Sequence, residues 1–280
     1  MLKKIVLKLM TKQYSWQKST KRFTKVLLPG LLLLASCGSS SMSAEKLRTK
    51  FISAGGTCSV EVSSESTTTS TSASSIETSI SVLEYHDCGE DEASMSRYET
   101  QTAVLQSRLY VDGLTWGFSK STGSDLDLFL NPKVIVDTWS ISISDAEVAI
   151  AASLASKLGG TVFDFNDSAT RAKVLQEITN GDPIVALEKV SKGCGAAEQL
   201  SSDGRSISFD TEGEDDSDGD GMYSVFCTLR ILGAADFVFE KILYTSANDG
   251  RVEESWDEFS ASWTYHPNTG IRLTVVAEKQ

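Results

Sequence analysis

From residue 44 onward the spacing of apolar positions changes twice, and the changes divide the chain into a strand-rich region, a helical block and a second strand-rich region. Ala44 to Ser53 is spaced as a helix, with Ser43 placed to cap it and Gly55-Gly56 placed to end it. Cys58, Val60 and Val62 alternate as in a strand. Ser63 to Ser75 is almost wholly Ser and Thr and reads either as a loop or as an exposed β-ribbon. Ile76 to Cys88 reads as a strand with Ile76, Thr78, Ile80 and Val82 on one face. Thr100 to Val111, Leu114 to Ser119, Leu126 to Leu130 and Val134 to Ile143 are short apolar runs between turn pairs such as Asp112-Gly113 and Asn131-Pro132. That pattern predicts antiparallel strands.

The helical block has clearer boundaries. Ser144-Asp-Ala-Glu147 has the form of a capping box before Val148 to Leu158, and Gly159-Gly160 close that helix. Thr161 to Phe165 reads as a short strand. Ser168 to Thr179 has helical spacing and runs into Asn180-Gly181, and Asp182-Pro183 opens a third helix that continues to about Lys192. Strand signals return at Ser206 to Phe209, Met222 to Leu232, Asp236 to Ser246, Glu258 to His266 and Ile271 to Glu278, the last two forming a hairpin around Pro267-Asn-Thr-Gly270. Val252, Trp256 and Phe259 leave room for a helical turn. The expected fold is therefore α+β, with antiparallel sheet and a central block of about three helices.

The first 36 residues have a different character. They carry eight basic residues and no acid, followed by Val26-Leu-Leu-Pro-Gly-Leu-Leu-Leu-Leu-Ala35. This apolar run is about half of what a membrane span needs, roughly 17 to 25 residues, so it reads as a secretory signal. It ends in Leu34-Ala35-Ser36-Cys37, which resembles the lipobox of bacterial lipoproteins. The resemblance covers the leader alone and implies cleavage before Cys37, which then carries the lipid. Three acyl chains, at about 0.8 kcal/mol per buried methylene, make a durable anchor. Gly38 follows in place of the Asp associated with inner-membrane retention, which favours the outer membrane, on its periplasmic or its surface face. The expected organisation is a signal over 1–36, a lipidated Cys37 with a tether over 37–43, and a globular region over 44–280.

Removal of the leader lowers the 26 basic residues to 18 against 38 acids, a formal charge of −20. So acidic a surface repels phosphate backbones and anionic lipid head groups and disfavours nucleic acid as a partner, while divalent metal ions, basic proteins and amine-bearing glycans remain suitable. Cys58, Cys88, Cys194 and Cys227 remain in a compartment where disulfides persist. Of the three possible connectivities, Cys58 with Cys88 and Cys194 with Cys227 closes two loops of about 30 residues, each stabilising by roughly 3.5 kcal/mol on the chain-entropy relation. The order helix, glycine, cysteine, polar loop and second cysteine occurs at Glu45 to Cys88 and again at Glu188 to Cys227. This raises the idea of two similar halves, 44–143 and 182–280, although few residues match.

Candidate chemistry is sparse. Asp216, Asp218 and Asp220 followed by Gly221 have the spacing that opens a calcium loop, because alternate side chains converge on one hard cation. Position 12 of that loop is Cys227 rather than Glu, so the site is either a weak Ca²⁺ site or a solvated acidic loop. His86 and His266 are the only histidines, and any Ser-His-acid triad would use one of them. Ser43 and Lys46 match a Ser-x-x-Lys spacing, and Glu253-Glu254 and Asp125 with Asp127 are among many carboxylate pairs. Phe259, Ala261, Trp263 and Tyr265 fall on one strand face and read as core. These features favour a non-enzymatic envelope lipoprotein with a binding or structural role. A calcium-dependent adhesive module is the second expectation, and an envelope hydrolase the third.

Overall fold

The computed structural model describes residues 42–59, 80, 82–89, 92–126, 130–144, 147–215 and 219–278. Ser41 to Gln280 forms one compact unit. Among the described residues it contains seven α-helices and two antiparallel sheets, so the fold is α+β. In chain order the elements are α1 (Ala44–Ser53), β1 (Val82–Asp87), β2 (Ala93–Tyr98), α2 (Gln101–Thr122), β3 (Lys133–Val136), β4 (Trp139–Ile143), α3 (Val148–Leu158) and β5 (Thr161–Phe163). There follow α4 (Ser168–Thr179), α5 (Pro183–Gly193), β6 (Ser206–Asp210), α6 (Met222–Ile231), α7 (Asp236–Tyr244), β7 (Val252–Trp256), β8 (Phe259–His266) and β9 (Gly270–Ala277).

The first sheet has strand order β1-β2-β4-β3-β5 and the second β6-β9-β8-β7. The first is covered on both faces, as the four buried residues of β3 show. Alternation sends Met95, Val134, Val136, Trp139 and Ile141 to one side, where Leu47 and Phe51 of α1 and Ala151, Leu154 and Leu158 of α3 complete a small core. Tyr98, Ile135 and Phe163 point the other way into a larger core. There α2, α4, α5, α6 and α7 pack over the inner face of the second sheet, which supplies Ile207, Phe209, Phe259, Ala261, Trp263, Leu273 and Val275. Each core has one disulfide, Cys58–Cys88 in the small one and Cys194–Cys227 in the large one, the pairing expected from loop length.

Four expected strands are helical. Thr100 to Val111 and Leu114 to Ser119 both belong to the 22-residue helix α2, and Asp112-Gly113 is not a turn. Gly113 and Gly117 lie one helical turn apart on the face that meets α6. A Cβ on Gly117 would stand 2.3 Å from the Tyr223 carbonyl oxygen, and one on Gly113 would stand 2.7 Å from Ile231 Cδ1. The glycines therefore allow backbone to approach backbone, a use that reads as a turn signal in the sequence. Helix α6 is buried from Ser224 to Leu229 without interruption, so it lacks the polar period that separates a buried helix from a buried strand. In α7 the buried positions Val238, Phe239 and Ile242 follow helical spacing, whereas the apolar Phe237, Leu243 and Tyr244 are exposed and blur it.

Smaller differences concern ends. Glu147 itself is the N-cap of α3, without a side-chain cap bond, and Asp145 and Ala146 lie outside the described residues. Val252 to Trp256 is the edge strand β7, not a helical turn. The helix expected from Asp182-Pro183 is α5: the Asp182 carboxylate accepts from Ile184 N and Val185 N, and Pro183 opens the first turn. Asn180 ends α4 in the left-handed region at φ 54°. The two segments proposed as similar differ at their second cysteines, since Cys88 directly follows β1 and Cys227 lies within α6.

Candidate functional site

A groove of about 600 Å³ runs between α4, the start of α5, the turn after α6, the β7–β8 turn and the residue that follows β9. Its lining includes Ser168, Gln176 and Arg171 from α4, Asp182, Gly233, Asp257, Glu258 and Glu278. The β7–β8 turn is tight enough that Asp257 takes a positive φ of 45°. It is held against the α6 end by the bond from Trp256 Nε1 to the Leu232 carbonyl at 2.9 Å. Asp182 is occupied in capping α5, and Glu278 accepts from Ser260 Oγ.

Arg171 is the one cation among the described lining residues, and it is 3% exposed. Its Nη1 donates to the Phe165 carbonyl at 2.5 Å and to that of Asn166 at 3.1 Å, and its Nε is buried without a partner. Burial, and then the like charge of Arg230, pull its pKa down to about 10. Arg230 is itself held by Asp236 at 2.6 Å and lies over the Trp116 ring at 4.6 Å. The groove is lined by four carboxylates, Asp182, Asp257, Glu258 and Glu278, against one buried guanidinium, an excess of negative charge that repels a simple anion and suits a ligand that carries a positive group.

The residues singled out in the sequence do not meet in this groove. Cys37, Asp216 and Asp218 lie outside the described residues. Asp220, the third candidate calcium ligand, closes its loop: Oδ2 accepts from Asp210 N at 2.9 Å and Oδ1 accepts from Gln199 Nε2 at 2.5 Å. Among the described residues no three His, Cys, Asp or Glu side chains converge as ligands for a metal. Ser43 and Lys46 are joined through the backbone, Lys46 N donating to Ser43 Oγ at 3.4 Å, which is helix capping. Glu253 pairs with Arg251 and Glu254 with Lys241.

Neither histidine is among the groove's lining residues, and the two differ in their surroundings. His266 is exposed, and its Nδ1 accepts from Asn268 N at 3.2 Å in the β8–β9 turn. His86 is 4% exposed in β1, its ring 5.8 Å from that of Trp139, and neither of its nitrogens has a hydrogen-bond partner. Burial pushes its pKa below the ordinary value, Glu84 at 3.9 Å opposes that, and Arg97 adds to it. A neutral ring packed on Trp139 is what this setting favours.

Comparisons with protein-family models, with curated proteins and with solved structures find no match to this chain. The groove and the buried ions are thus read from their own chemistry alone.

Sequence reasoning missed the most deeply buried charges. Asp112 on α2 and Lys133 on β3 meet at 3.2 Å with side chains 3% and 4% exposed. Burial raises the Asp112 pKa, and the charges of Lys133 and Arg108 oppose that rise. Burial lowers that of Lys133, and Asp112 opposes it. Arg108 Nη2 also donates to Tyr98 Oη at 2.9 Å, which receives Ser107 Oγ at 3.1 Å. No spacing rule links positions 112 and 133. The one available signal was that Asp112 falls on the apolar side of α2 once the segment is read with helical period. This cluster does not line the groove and belongs to the packing of α2 against the first sheet.

Proposed function

We propose that this chain is a lipid-anchored protein of the bacterial cell envelope, held at the outer membrane by acyl chains on Cys37, and that it works by binding or by organising the envelope rather than by catalysis. The observation that carries the reading is the Leu34-Ala35-Ser36-Cys37 box behind a basic leader and a short apolar run. Two closed disulfides give it independent support, because such bonds persist in the oxidising spaces outside the cytoplasm. No described helix is long and apolar enough to cross a membrane. The groove beside Arg171 is the place where a ligand with a positive group fits this reading best.

The test is metabolic labelling with palmitate in the native host, followed by fractionation of the envelope. The expected result is labelled protein in the outer-membrane fraction, with Cys37→Ser losing the label and leaving the membrane. Unlabelled wild-type protein, or a C37S protein that stays with the membrane as before, overturns the anchor.

A further inference from the structure

Helix α1 is the first element after the tether, and its charge runs against that of the molecule. It has Lys46, Arg48 and Lys50 against Glu45 alone, a local charge of +2 on a mature chain of −20. Its inner side is fixed. Ala44, Leu47 and Phe51 are buried in the small core, Arg48 Nη2 donates to the Cys58 carbonyl at 3.0 Å, and Trp139 Nε1 donates to the Met42 carbonyl at 2.8 Å. Lys46, Thr49, Lys50 and Ser53 are exposed on its outer side.

Lys46 and Lys50 stand four residues apart on that outer arc, a like-charge spacing that disfavours an isolated helix. No carboxylate among the described residues pairs with either. Elsewhere on this acidic surface Lys192 has Glu188 and Lys241 has Glu254, while the exposed Lys120 and Lys173 also stand without a paired carboxylate among the described residues, so what sets Lys46 and Lys50 apart is their place on one rigid face next to the tether. Between Cys37 and α1 stand six residues, Gly38 to Ser43, which extend at most about 20 Å. A rigid, positively charged helix face so close to an acyl anchor lies within reach of the anionic lipid headgroups, and its local +2 departs from the acidity of the rest of the chain.

We propose that the outer face of α1, through Lys46 and Lys50, lies on the anionic headgroups of the bilayer that holds the Cys37 acyl chains and so fixes the orientation of the domain on the membrane. This rests on the lipid-anchor reading above. Each basic side chain at an anionic surface gains enough to slow its exposure to solvent reagents about fivefold.

The experiment uses the full processed chain purified from its host and reconstituted in vesicles of phosphatidylcholine, alone or mixed with phosphatidylglycerol. A membrane-impermeant amine-acylating reagent is added, and the modification rate of each lysine is read by mass spectrometry. The mass of the N-terminal peptide is read in the same sample. On phosphatidylglycerol vesicles at low salt, Lys46 and Lys50 react about fivefold more slowly than on phosphatidylcholine. High salt removes the difference. The exposed Lys173 and Lys192 react alike throughout, and K46Q reduces the protection of Lys50. Equal rates for Lys46 and Lys50 on the two vesicle types, with acyl chains present on Cys37, overturn the docking and leave the anchor standing. A Cys37 without acyl chains overturns both.

Discussion

Replacing Gly117 with alanine adds one carbon where α2 and α6 cross. On helix propensity alone the change is favourable by about 1 kcal/mol, because glycine in a helix interior is the weaker former. The structure predicts the opposite sign. The added Cβ would lie 2.3 Å from the Tyr223 carbonyl oxygen and 2.9 Å from Cys227 N, and both atoms are backbone that no rotamer change can move. Relief to an ordinary contact near 3.4 Å requires α6 to retreat by about 1 Å. Retreat is resisted because Cys227 is bonded to Cys194, and Phe226 and Leu229 of α6 are fully buried. Overpacking of this kind costs about 3 kcal/mol, the upper end of its usual range. With the propensity gain subtracted, G117A should destabilise by about 2 kcal/mol, or about 4–8 °C in Tm for a region of this size. Gly113→Ala is the internal control. Its nearest atom is the tip of the Ile231 side chain at 2.7 Å, and the net effect should stay within about 1 kcal/mol. Urea unfolding of the oxidised protein followed by far-ultraviolet circular dichroism measures both variants. A G117A protein as stable as the parent, or more stable, refutes the close crossing and the reason given for the glycine.

Three further outcomes follow from the same geometry. Cys194→Ala with Cys227→Ala opens a loop with ends 33 residues apart, and the midpoint in urea should fall by the equivalent of about 3.5 kcal/mol; a change below about 1 kcal/mol means that α5 and α6 hold each other without the bond. Asp112→Ala takes away the buried carboxylate that Lys133 meets at 3.2 Å and should cost about 3–5 kcal/mol, while Asp112→Leu with Lys133→Met should restore most of that; a double variant as unstable as the single one shows that Arg108, not Lys133, is the ion that needs Asp112. His86→Phe removes two unpartnered buried nitrogens and should stabilise by about 1 kcal/mol. Because burial holds the folded pKa of His86 below its ordinary 6.5, the unfolded chain binds the proton first as pH drops below that value. Stability is therefore lost on acidification from about 6.5 downward, and H86F should flatten that slope in thermal scans, whereas an unchanged slope assigns it to other groups.

The parts of the fold that were legible in the sequence are those whose signals are local. Asn180-Gly181 and Asp182-Pro183 mark a helix end and a helix start within four residues, and α4 and α5 meet there. The β8–β9 hairpin was legible because Phe259, Ala261 and Trp263 alternate with polar residues on a sheet with one wet face. The cysteine pairing followed from loop length. Helices α2 and α6 were not legible, and each misled in its own way. Gly113 and Gly117 of α2 serve a contact made by residues more than a hundred positions away, and no local rule separates that use from a turn. In α6, complete burial erased the polar period. The sheet content was therefore overestimated where the core is densest.

The groove was illegible for a related reason. Arg171, Asp182, Gly233, Asp257 and Glu278 come from five separate segments, and each has a local role in a cap, a turn or a strand end that accounts for it fully in one dimension. The Leu34-Ala35-Ser36-Cys37 box behind the proposed anchor is the opposite case, since a resemblance of this kind is carried by a short linear string and is legible as one. Between these extremes lies α1, whose amphipathic spacing predicted the helix and its buried side but left the outer side open. Its fixation to the small core, through Leu47, Phe51, the Arg48–Cys58 bond and the Trp139–Met42 bond, turns two exposed lysines from ordinary solvated residues into a face with a defined direction. If Cys37 carries the proposed acyl chains, a tether as short as Gly38 to Ser43 leaves few ways to satisfy that direction, and the docking proposed above would follow from the chain itself.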